Sequence, residues 1–236
     1  VALSRALIAE FFGTAFLLAT VVGSGALAER LAQGNVALCV LCVAFATGMV
    51  LYALIQCFAT VSAHFNPAVT LVTCLRREFD WCNLLPYWAA QLVGACAGVV
   101  VANLMFDLPG AAISSTIRGG FDHPGQWLGE IVATFGLIAT IIGVGKTDAK
   151  AVPFAVSAYV AGAICFTSST CFANPAVTIS RIFTGTLTGI APASVPGFII
   201  AQMIGAVLAV VIFGWLFRTA GVSDKTVARL EELVKR

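Results

Sequence analysis

Two stretches of this chain share a run of five residues, Asn66-Pro67-Ala68-Val69-Thr70 and Asn174-Pro175-Ala176-Val177-Thr178. Asn caps a helix start with its side-chain oxygen, and Pro suits the first helical position, where no partner waits for an N–H. Each run therefore predicts a helix start. The stretches 66–75 and 174–183 would each cover roughly 15 Å at 1.5 Å per residue, half of a bilayer core. In such a half-helix the first N–H groups lack partners within the helix, and its start carries partial positive charge. Two starts meeting at mid-membrane would repel cations, while Asn66 and Asn174 donate hydrogen bonds to a passing oxygen. Non-helical backbone at 61–65 and 167–173 is admissible at that depth only if protein buries it or it lines a wet cavity, where its carbonyls would act as acceptors. Val177, directly behind the second Asn-Pro-Ala, is placed to weigh most on what passes.

The rest of the chain must hold these starts inside a bilayer. Its 236 residues are 60% hydrophobic and 10% charged, with mean hydropathy +0.99. A soluble domain carries about 25% charged residues, so this composition implies a polytopic membrane protein. A net charge of +2 and the lack of a basic aromatic patch exclude nucleic acid as a partner. The eight cysteines follow neither a zinc spacing nor a disulfide framework and read as small buried hydrophobes. No metal or other cofactor is expected. The first apolar run reads as a membrane helix rather than a cleavable signal.

Six windows have the length to span, at 4–28, 36–58, 84–106, 126–145, 151–166 and 193–217. The two halves, 4–106 and 126–217, repeat. Ala9-Glu10-Phe11-Phe12-Gly13-Thr14 parallels Gly129-Glu130-Ile131-Val132-Ala133-Thr134, and Gln91-Leu92-Val93-Gly94-Ala95 parallels Gln202-Met203-Ile204-Gly205-Ala206. Three spans per repeat is an odd number, so the second copy inserts upside down and the broken helices meet at the midplane. The expected fold is an all-α membrane protein with six transmembrane helices plus two re-entrant half-helices in an inverted repeat. Residues 1–218 form the channel domain.

With the N-terminus inside, ten Lys and Arg fall on the cytoplasmic side, against Arg30, Arg118 and Arg181 outside. Both termini are therefore expected in the cytoplasm, with 107–125 as an external loop. The tail 219–236 has Val227, Leu230 and Val234 at helical spacing and reads as a short amphipathic helix at the cytoplasmic surface.

Glu10 and Glu130 lie within spans, so each needs a role. One reading makes them proton-coupling groups of a transporter; the favoured one has each carboxylate accept hydrogen bonds from re-entrant loop amides. The six spans, two Asn-Pro-Ala half-helices, the Ala-Glu-Phe-Phe-Gly-Thr opening and the paired Gln-x-x-Gly-Ala strings resemble the aquaporin and aquaglyceroporin family over about residues 5–218. The resemblance implies a homotetramer in the inner (plasma) membrane, one pore per subunit, conducting water or small neutral solutes passively. It also implies a loop-packing role for His64.

Family members narrow the external mouth with four positions, which here fall at Thr47 (or Ala46, on a gapless count), Gly162, Cys171 and Val177. Most members place Arg where this chain has Val177. Arg181 comes one helical turn later and is not expected to replace it. The implied mouth is wide and neutral, suited to glycerol, urea or trihydroxy-metalloids. Val177 together with Thr167-Ser168-Ser169-Thr170 resembles the bacterial arsenic-resistance branch, which implies arsenite as As(OH)3. Cys171 at the mouth reads as a small lining residue rather than an arsenic ligand. The competing class is an ion- or proton-coupled secondary transporter; an enzyme finds no catalytic constellation.

Overall fold

The computed structural model describes residues 1–217. Eight α-helices follow in order: α1 (Leu3–Leu31), α2 (Val36–Phe58), α3 (Pro67–Leu75), α4 (Leu84–Met105), α5 (Pro124–Thr147), α6 (Val152–Phe166), α7 (Pro175–Ser180) and α8 (Val195–Leu216). Six are long and apolar enough to cross a membrane, and the two short ones are α3 and α7. The face where α1 begins and α8 ends is termed proximal here, and the opposite face distal. The expected tail at 219–236 lies outside the described residues.

Five helices, α3, α5, α6, α7 and α8, carry Pro in their first two positions, where its fixed φ and missing N–H cost nothing. Pro153 and Pro196 thus mark helix starts rather than kinks. The half-helix 174–183 is shorter than expected. After Ser180 the chain tightens into a 3-10 turn, Arg181–Phe183.

The repeats pack alike. α1 lies along α4 and α5 along α8, while α2 meets α6 across the junction between repeats. The matched glycines allow the close crossings. A Cβ at Gly94 would overlap the Phe11 carbonyl on α1, and one at Gly205 would overlap the Ile131 carbonyl on α5. That proximity brings Gln91 and Gln202 to Glu10 and Glu130. Large apolar side chains such as Phe16, Phe45, Leu85 and Ile200 cover the outside, as expected for a surface solvated by lipid.

At the distal face the 106–123 segment lies over the 3-10 turn that follows α7, through Ala112 N to Phe183 O (3.2 Å) and Ser114 N to Ile182 O (2.8 Å). Asn103 reinforces it, donating to the Phe183 carbonyl at 2.8 Å and accepting from Thr184 Oγ1 at 2.9 Å.

Candidate functional site

The two Asn-Pro-Ala runs meet inside the bundle, and their asparagines do two jobs each. Asn66 Oδ1 accepts from Ala68 N at 2.8 Å, and Asn174 Oδ1 from Ala176 N at 2.9 Å, capping α3 and α7. Their amides cross over: Asn66 Nδ2 donates to Ala173 O and Asn174 Nδ2 to Phe65 O, both at 2.8 Å. Each half-helix start is thereby tied to the loop that leads into the other. One N–H of each amide is left over, and both asparagines line the central cavity.

The residues before each Asn are bent into a left-handed conformation, with φ of +50° at Phe65 and +45° at Ala173. Such a conformation costs on the order of 1–2 kcal/mol for an L-residue, so something must hold it. The buried glutamates do. Glu10 accepts from His64 N (2.8 Å), Phe65 N (2.7 Å), Ser62 Oγ (2.6 Å) and Gln91 Nε2 (2.7 Å). Glu130 accepts from Phe172 N (2.9 Å), Ala173 N (2.8 Å) and Gln202 Nε2 (2.6 Å). The glutamine amides continue to Thr70 Oγ1 and Thr178 Oγ1 at 2.9 and 2.8 Å. Both carboxylates are wholly buried and occupied by loop donors. His64 packs edge-on against Phe79 and tilted on Tyr87, with Nδ1 3.2 Å from Thr70 Oγ1.

The cavity has a volume of about 380 Å³. One side is a wall of aliphatic side chains from α1, α2, α5 and α6, among them Leu17, Val43, Leu137 and Val156. The other is built from the two loops and the inward faces of α3 and α7. Of the four expected constriction positions, Thr47, Cys171 and Val177 line it. Thr47, not Ala46, faces inward, and its Oγ1 is buried with no partner.

Gly162 does not line it, which corrects the sequence-based expectation. The inward stripe of α6 is Val152, Val156, Val160 and Ile164, spaced by four. Gly162 is two residues out of that stripe, about 200° round the helix from Val160, and is exposed on the outer face. Counting back from Asn174 crosses a non-helical loop, and such a count does not transmit helical phase.

The neutral mouth is corrected as well. Arg181 and Arg118 both line the cavity. Arg181 is 4% exposed, sits 3.5 Å over the Phe172 ring centroid and donates Nε to the Thr188 carbonyl. Arg118, from the distal loop, lies 5.3 Å from the same centroid and donates to the Gly189 (2.8 Å) and Leu187 (2.6 Å) carbonyls. The signal for Arg181 was in the sequence. Positions four apart share a helix face, so Arg181 stands directly distal to Val177. Arg118 carried no such signal, since only the folded loop delivers it.

The chain matches the family described as "Major intrinsic protein" over residues 1–167. It is 45% identical over 219 residues to "Aquaglyceroporin AqpS" of Rhizobium meliloti (strain 1021), covering 92% of each protein. It is 36% identical over 153 residues to "Aquaporin NIP2-2" of Zea mays, covering 59% of this chain and 51% of that protein. Among solved structures, the aquaglyceroporin from Plasmodium falciparum superposes with TM-score 0.66 at 21% identity, over 94% of this chain and 98% of that one, a likeness of fold.

Proposed function

The chain belongs to the major intrinsic protein family, whose members are membrane channels for small solutes rather than enzymes, and we propose that it is a passive pore for neutral polyhydroxy solutes of glycerol size. The one-sided polarity of the cavity carries this reading. A solute moving along it would keep its carbon side against Val43, Leu137 and Val156 while its hydroxyls exchange partners with Asn66, Asn174 and the loop carbonyls. Water, with no apolar side, gains nothing from such a wall, whereas glycerol, with its carbon backbone, does.

Val177 and Thr47 set the width in this reading. Valine in place of the usual arginine leaves room beside Cys171, and threonine in place of a large aromatic leaves room on α2. Arsenite as substrate rests further on the Val177 and Thr-Ser-Ser-Thr resemblance. Four such pores would assemble as a homotetramer, with both termini in the cytoplasm and the distal mouth open to the outside of the inner membrane. The test is stopped-flow light scattering on proteoliposomes with glycerol, urea, arsenite and water. The native protein should pass the first three well above empty vesicles, and Val177→Arg should lose them while keeping water. Unchanged uptake of the larger solutes in that variant would overturn the assignment of the size limit.

A further inference from the structure

The guanidinium pair at the distal mouth has more positive charge than the protein around it uses. The only ion pair among the described residues is Arg76 with Glu78, far from here on the proximal side. The oxygens of Glu130 are taken by Phe172 N, Ala173 N and Gln202. Arg118 spends Nε and Nη2 on the carbonyls of Gly189 and Leu187. Arg181 spends only Nε, on Thr188. Both Nη groups of Arg181 and Nη1 of Arg118 have no acceptor among the described residues, although both side chains border the cavity. Carbonyl contacts of this kind orient a guanidinium without neutralising it.

One feature narrows what would partner that charge. Phe172, the shared neighbour of both guanidiniums, leaves a flat apolar surface beside them. A guanidinium presents paired N–H donors in a plane, matched by the paired oxygens of a carboxylate or another planar oxyanion. Cations are repelled, and a neutral polyol cannot offset the charge.

We propose that the distal mouth is a binding site for one small planar oxyanion, held by the Nη groups of Arg118 and Arg181, and that its occupancy obstructs the neutral-solute path. This rests on the pore reading above. The anion and a solute would compete for the space between Arg181, Cys171 and Val177, so the site makes permeation sensitive to anions on the distal side. Arg181 then acts as a gatekeeping cation displaced one turn outward from the position occupied by Val177.

The test is glycerol flux in proteoliposomes equilibrated at pH 7.4 with rising sodium nitrate or sodium acetate, ionic strength being held with sodium chloride, whose spherical anion lacks the paired oxygens. The native channel should lose glycerol flux in a saturable way. Arg118→Gln and Arg181→Gln should each raise the half-inhibiting concentration by about tenfold or more, the scale of a lost charge-assisted hydrogen bond. Each variant's own flux without nitrate or acetate is its reference, and Arg118→Lys supplies a second variant that keeps charge but not the planar fork. Inhibition by both anions assigns the site to their shared planar geometry, and inhibition by acetate alone assigns it to carboxylates. Flux indifferent to both anions, or inhibited equally in native protein and both Gln variants, overturns the proposal. Absence of glycerol flux from the native protein without nitrate or acetate would instead overturn the pore reading.

Discussion

The two Asn-Pro-Ala halves are nearly the same machine in their bracing and different machines in their lining. Residue for residue, Glu10, Gln91, Thr70 and Asn66 make the bonds that Glu130, Gln202, Thr178 and Asn174 make. Around them the walls diverge. His64 stands opposite in register to Phe172, Ala63 to Cys171 and Thr73 to Arg181, and all six line the cavity. The bracing must repeat because both loops have the same unpaired amides and the same left-handed residue to hold in a place without water. No such demand falls on the lining, so the two mouths are free to differ. In the proposed reading, what is common to the halves makes the pore, and what differs decides what enters it.

The largest expected effect tests the shared part. Glu10→Ala or Glu130→Ala would leave two loop amides without acceptors at about 1–3 kcal/mol each, roughly 2–6 kcal/mol in all. Thermal unfolding of the detergent-solubilised protein should show comparable losses for the two variants, with flux abolished in both. A protein indifferent to one of them would show that the halves are not braced alike. A smaller effect is expected one step further in. Asn66→Ala and Asn174→Ala each remove a cap and a cross-bridge, about 1–3 kcal/mol by the same measurement. The double variant should lose less than the sum, since each bridge joins the same two loops.

The lining is tested more gently. Because Cys171 borders the cavity, a mercurial should block glycerol flux in the native channel, and Cys171→Ser should resist it. Ala63→Cys, in the same register of the other half, should install a second block in the Cys171→Ser background, reached from the proximal side. Equal block in native and Cys171→Ser proteins would show that another thiol is responsible.

Much of this was legible in residue order. The Asn-Pro-Ala pair, the repeated Glu and the Gln-x-x-Gly-Ala strings located both half-helices, their bracing carboxylates and the close helix crossings. These are local or repeated signals. A cap, a proline start and a glycine crossing depend on neighbours a few residues away, or on a partner found twice. The lining was read less well where a count had to cross irregular backbone. Thr47, found by matching its own helix, lines the cavity, while Gly162, found by counting from Asn174 through 167–173, does not.

Sequence alone determined the class of protein, because 60% hydrophobic composition with two half-length helices leaves few ways to satisfy backbone amides in lipid. Tertiary structure decided the charge at the distal mouth. A 3-10 turn after Ser180 and a loop folded back from 106–123 bring Arg181 and Arg118 to one phenylalanine. Residues 63 positions apart in the chain meet where that loop hydrogen-bonds the 3-10 turn after α7 and Arg118 the carbonyls of Leu187 and Gly189. Nothing in the local pattern of either arginine encodes that meeting.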